Sequence, residues 1–142
     1  MAPLQKRALY SLGIGIVLAI ALIMVFVLKG DVTDFDEDLG FRLIVYALWV
    51  GVPLAYLIVV NLTLRKPEQL DERDKLIMAK APRVQFLAVL FSLVAWTIAL
   101  TEVFRDQGQV PVIYLTLIMI STLIVSTLAQ ALGILIGYWR MR

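Results

Sequence analysis

The sequence predicts an all-α integral membrane protein: four transmembrane helices, with a short amphipathic cytoplasmic helix between spans 2 and 3. Three observations predict it. Residues 8–28, 43–64, 84–104 and 110–139 form four apolar runs, each reaching the roughly 20 residues that cross a hydrocarbon core about 30 Å thick. Few polar side chains interrupt them, so none offers the solvated face that an amphipathic helix of a soluble domain needs. Lysine and arginine also collect on alternate sides of the runs. Because lipid supplies no partner for backbone N–H and C=O groups, runs of this kind span as helices, whose hydrogen bonds close internally.

The first run is preceded by Lys6 and Arg7 and followed by Lys29-Gly30-Asp31. Its apolar stretch exceeds the usual core of a cleaved signal peptide, and no Ala-x-Ala-like site follows, so it is expected to remain as a span. The second run contains Pro53, which removes a hydrogen bond to Trp49 and predicts a kink near Gly51. The fourth run is 30 residues long, about 45 Å as a helix, and must tilt or project into the headgroup layer. Pro111 suits its first turn, while Tyr138, Trp139, Arg140 and Arg142 form an aromatic and basic anchor at its end.

Orientation follows from the basic residues of the short loops. The N-terminal segment, the middle loop (Arg65, Lys66, Arg73, Lys75, Lys80, Arg83) and the C-terminal segment hold ten of the thirteen. Basic residues beside spans are retained on the cytoplasmic side, which predicts an inner-membrane, multi-pass protein with cytoplasmic N- and C-termini.

Composition restricts the chemistry. The 142 residues, 61% of them hydrophobic, leave room for one domain. Cysteine and histidine are both absent, which removes thiolate and Ser–His machinery, most zinc and copper sites and the common haem ligands. No catalytic residue, metal site or cofactor is therefore expected. The net charge of +2 is spread over loops without interleaved aromatics, so nucleic acid is not an expected partner. The expected partners are membrane lipids and other membrane subunits or further copies of the chain. No Asp, Glu, Lys or Arg lies near the middle of any run. Ion-coupled pumps place ionisable groups there; the small four-helix multidrug exporters, similar in size, depend on a glutamate in the first helix that this chain lacks.

Polar residues toward the cytoplasmic half of the runs include Ser11, Asn61 and Gln85, with Gln130 somewhat deeper. Amides in lipid seek partners on neighbouring helices, each bond contributing about 0.6–2 kcal/mol, which makes interhelical bonding the first reading. A substrate or quinone-like pocket opening inward is the second. The hydroxyls of Ser92, Thr97, Thr116, Ser121, Thr122, Ser126 and Thr127 are expected to bond back to their own helices. Small residues recur at four-residue spacing: Ser11, Gly15 and Ala19 in the first run, and Ala129, Gly133 and Gly137 in the fourth. Such stripes let backbones approach closely, between the first and last helices or between subunits.

The outer loop carries Asp31, Asp34, Asp36, Glu37 and Asp38. Asp34, Asp36 and Asp38 match the opening positions of an EF-hand loop, but Leu39 occupies its glycine position and Val45 its final glutamate, so a solvated acidic loop is expected. In the middle loop, Asp71, Glu72, Arg73 and Asp74 begin the expected surface helix. Asp71 is read as its N-cap, bonded to the N–H of Asp74, with Leu70, Ile77, Met78 and Ala81 on one side and the end near Lys80, before Pro82. These four charged residues are a candidate docking site for a partner, with the Arg73 guanidinium as a planar donor fork.

At this motif the chain resembles a family of small prokaryotic membrane proteins of uncharacterised function, in which a cytoplasmic Asp-Glu-Arg-Asp sequence precedes a span. The resemblance covers residues 71–77 and their placement before the third span. It implies the architecture and carries no reaction, substrate or ligand. The functional expectation is a non-enzymatic membrane protein acting through protein contacts, as an accessory subunit or a homo-oligomer. The alternative is a small permease or channel whose pore forms between protomers.

Overall fold

The first three helices are longer than their apolar runs, because caps and first turns recruit flanking polar residues, whereas the fourth is two residues shorter. A computed structural model describes residues 2–29, 38–63 and 71–140 and is all-helical among them. Helix α1 spans Pro3–Lys29, α2 Leu39–Thr63, α3 Glu72–Val103 and α4 Ile113–Arg140. All four are long and apolar enough to cross a membrane. Pro3 occupies the first turn of α1, where its missing N–H costs nothing. Helix α2 is capped by Asp38, whose Oδ1 accepts from the N–H groups of Gly40 (2.8 Å) and Phe41 (3.2 Å). One residue of the acidic loop is thus an N-cap; residues 34 and 36 of the EF-hand comparison lie outside the described residues.

Helix α3 corrects the sequence reading. No separate surface helix exists among the described residues: Glu72–Val103 is one continuous helix of 32 residues with Pro82 inside it. A proline within a helix costs about 3 kcal/mol, which was the reason to expect a break. Side-chain packing on the N-terminal side of Pro82 offsets that cost. Asp74, Ile77 and Ala81, at i, i+3 and i+7, are buried, and the two apolar ones join Leu4, Ala8, Ile134 and Tyr138 in one core. Asp71 is the N-cap as expected, although its carboxylate accepts from the N–H of Glu72, at 2.8 Å, and not from Asp74.

At its other end α3 closes through Phe104, whose N–H bonds to the Leu100 carbonyl at 3.0 Å. The chain reverses at Gly108, with φ of 65°, a conformation that glycine adopts without steric cost. Pro111 precedes α4 and does not belong to its first turn. Its carbonyl accepts from the N–H of Tyr114 at 3.1 Å, a tight turn that leads into the helix at Ile113. The expected start at residue 110 is therefore three residues early.

The principal packing runs α2 on α1, α1 on α4 and α4 on α3. Two cores hold this row together. The first lies where the N-terminal ends of α1 and α3 meet the C-terminal end of α4. The second unites Phe41 and Val45 of α2 with Ile113, Ile120 and Ile124 of α4, flanked by Ala19, Leu22 and Phe26 of α1. Phe26 meets Phe41 edge-on at 5.3 Å between ring centres, a favoured aromatic geometry. Lys6, Arg7, Arg73, Lys75 and Arg140 share the end of the first core, by their positions in these helices.

The small residues mark close helix contacts. A Cβ on Gly15 would lie 2.6 Å from Leu128 Cδ2, so α1 meets α4 there. Ser11 is buried and Ala19 packs on the second core. On α4, however, Gly133 and Gly137 face α3: a Cβ would stand 3.5 Å from Ala81 Cα and 2.9 Å from Ile77 Cγ2, respectively. Ala129 is buried as well. The two stripes thus do not face each other; α4 presents different sides to α1 and α3.

Candidate functional site

Two polar groupings stand out, one at the basic end and one along the middle of α4. The first is the Asp-Glu-Arg-Asp motif. Position on the first turn of α3 decides which way each charge points. Asp71 and Glu72 are exposed, whereas Asp74, three residues before buried Ile77, is 3% exposed and accepts a hydrogen bond from the Tyr138 hydroxyl. Arg73 is half-buried; its Nη2 donates to the Tyr138 carbonyl at 3.0 Å, and its guanidinium carbon lies 5.3 Å from the centre of the Tyr138 ring. A cation over an aromatic face is attracted by the ring quadrupole. Arg73 Nε is buried without a partner among the described residues.

Within the chain, Arg73 and Asp74 clamp the start of α3 to the end of α4. Of the four charged residues, Asp71 and Glu72 are exposed, with Asp71 also serving as the cap. Tyr138, expected at the membrane interface, is the residue they hold, while Trp139 beside it is 75% exposed. The signal for this was present in the spacing. Asp74 shares the stripe of Ile77 and Ala81, and a carboxyl on an apolar stripe requires a donor from the facing helix.

The second grouping runs along α4. Gln130 Oε1 accepts from the Tyr56 hydroxyl of α2 at 3.0 Å, and Ser126 Oγ accepts from Gln85 Nε2 of α3 at 2.6 Å. Ser121 Oγ accepts from Trp96 Nε1 at 2.8 Å while donating to the Ile118 carbonyl at 3.1 Å. Thr97 and Thr127 do bond back to Leu93 and Leu123. Ser121 also bonds back, to Ile118, and receives a donor from α3 as well, because a serine hydroxyl retains acceptor capacity after donating; Ser126 departs from the expectation, its bond being the one it accepts from Gln85. Gln85 and Gln130 are interhelical bonding residues, as their residue type suggests; the side chain of Asn61 lies outside the described residues. Tyr56 was missed, since a single tyrosine in an apolar run gives no periodic signal.

Around these bonds the helices leave two clefts. One, of about 180 Å³, is lined by Pro53 and Tyr56 of α2, Gln85 of α3 and Leu123, Ser126, Thr127 and Gln130 of α4. The other, of about 100 Å³, lies toward the basic end between Arg7, Ser11, Tyr56, Met78, Pro82 and Gln130. Tyr56 and Gln130 line both. Among the described residues no group of three or more Asp or Glu side chains could hold a metal ion. Comparison of the chain with known families, with characterised proteins and with solved structures finds no match.

Proposed function

We propose that this protein is a non-enzymatic, multi-pass membrane protein that acts through contacts, as a subunit of a larger membrane assembly or with further copies of itself. The observation that carries this reading is the third helix. Its apolar stretch contains no buried residue, and Phe86, Leu87, Phe91 and Ile98 are all more than half exposed. Ala95 and Ala99, four residues apart, are also exposed. That spacing lets a second helix backbone come close, and large apolar side chains beside it add dispersion contacts. The Asp71 and Glu72 carboxylates extend the same helix with charges open to a basic partner.

After extraction in a mild detergent, the wild-type chain is expected to migrate on native gels with companions that mass spectrometry identifies. Ala95→Leu/Ala99→Leu should insert normally and lose them. Migration of wild type and double variant alike as a lone 15.9 kDa chain with its detergent would defeat the proposal.

The clefts favour one second reading, a small permease or channel completed between protomers. It requires saturable solute flux by the purified protein in vesicles, abolished by Gln130→Leu.

The proposed orientation puts both termini and the basic end in the cytoplasm of a prokaryotic cell. Since the chain has no cysteine, single cysteines report cleanly. Gln107→Cys, in the α3–α4 turn, should react with an impermeant thiol reagent added outside intact cells, and Lys75→Cys should react only after the cells are opened. The opposite pattern reverses the orientation.

A further inference from the structure

From the free amide groups of Gln85 on α3 and Gln130 on α4, which line the cleft with α2, we infer a binding site for a neutral, bilayer-dissolved molecule with a small oxygen-bearing head, of the quinone type. Gln130 uses its Oε1 on Tyr56, and among the described residues its Nε2 donates to nothing. Gln85 uses its Nε2 on Ser126, and its Oε1 accepts from nothing described. Ser126 lies at the middle of α4, so these free groups sit at membrane depth. Hydrocarbon cannot satisfy them, and leaving them bare is costly.

The cleft that they line selects its occupant. None of its seven lining residues is charged, which disfavours an ionic head. Its volume of about 180 Å³ falls below the roughly 300 Å³ of sites that enclose a drug-sized ligand. It suits a head group alone, with the remainder of the molecule outside in lipid. The helices that bound it offer such a tail exposed apolar side chains: Leu54, Leu57 and Ile58 on α2, and Phe86 and Leu90 on α3. A free donor on α4 and a free acceptor on α3 match a flat head with oxygens on opposite edges. In the oxidised form a carbonyl accepts from Gln130 Nε2; in the reduced form one hydroxyl oxygen accepts from Gln130 Nε2 and the opposite hydroxyl donates to Gln85 Oε1. Tyr56 and Pro53 provide the rigid apolar wall for the ring.

A matched pair of variants tests this. Tyr56→Phe and Gln130→Leu remove the same interhelical bond, and only the second removes the free Nε2 donors. Calorimetric titration of the detergent-solubilised full chain with decylubiquinone, and separately with dioctanoylglycerol, reads the affinity and separates a quinone from a glycerolipid as the source. We expect saturable binding of decylubiquinone, retained within about threefold in Tyr56→Phe and weakened about tenfold in Gln130→Leu, as loss of one hydrogen bond predicts. Saturation by dioctanoylglycerol with the same variant pattern supports the neutral oxygen-bearing head and moves its source to the glycerolipids. Absence of saturation by either probe, or equal losses in both variants, overturns the site. So does a wild-type dimer that Gln130→Leu dissociates without any probe binding, because a second copy then fills the cleft.

Discussion

Gly133→Leu is expected to lower the thermal stability of the detergent-solubilised protein by the equivalent of about 1–3 kcal/mol or more, the usual cost of overpacking. At this position a Cβ already stands 3.4 Å from Val84 Cβ and 3.5 Å from Ala81 Cα. The second of these is backbone, so no rotamer change on α3 can make room for a leucine. The helices must separate, which also strains the Arg73 and Asp74 contacts to Tyr138 at the end of the same interface. The control is Gly13→Leu, where a Cβ meets nothing within 4 Å. Matching melting curves for the two leucine variants would mean that α3 and α4 do not pack along the glycine stripe.

Tyr138→Phe should destabilise by about 1–3 kcal/mol, because it leaves the buried Asp74 carboxyl without its donor. The aromatic ring under Arg73 is retained, so the loss reports the hydroxyl alone. Asp74→Ala removes the acceptor as well, and the double variant should cost less than the sum of the two single ones, as coupled partners do. Trp139→Phe, one residue along and largely exposed, should melt like wild type. Strict additivity of Asp74→Ala and Tyr138→Phe would separate the two residues and remove the clamp. Arg73→Glu is likewise expected to weaken the α3–α4 contact within the chain, so loss of companions in that variant would not by itself identify a docking residue.

Four helices long and apolar enough to cross a membrane were legible in the residues themselves, because that capacity depends on length and composition along one dimension. Runs of roughly 20 apolar residues suffice, and this chain has four. The concentration of lysine and arginine at one end was legible for the same reason, and so was the exclusion of cysteine and histidine chemistry. Asp71 as a cap also needed only local information, since its carboxylate serves the adjoining N–H.

The facing of each helix was decided only by the tertiary structure. In water an apolar stripe marks the inner face of a helix; in lipid both faces are apolar, so periodicity says little about which side meets a neighbour. Hence Gly133 and Gly137 turned out to face α3, Ser121 and Ser126 to receive donors from it, and Arg73 and Asp74 to turn inward. Pro82 remained within a helix because packing of Ile77 and Ala81 against α1 and α4 offsets a local penalty. Local rules identify caps such as Asp71; rotation about the helix axes is set by hydrogen bonds and close contacts between residues as many as 74 positions apart, as in Tyr56 and Gln130.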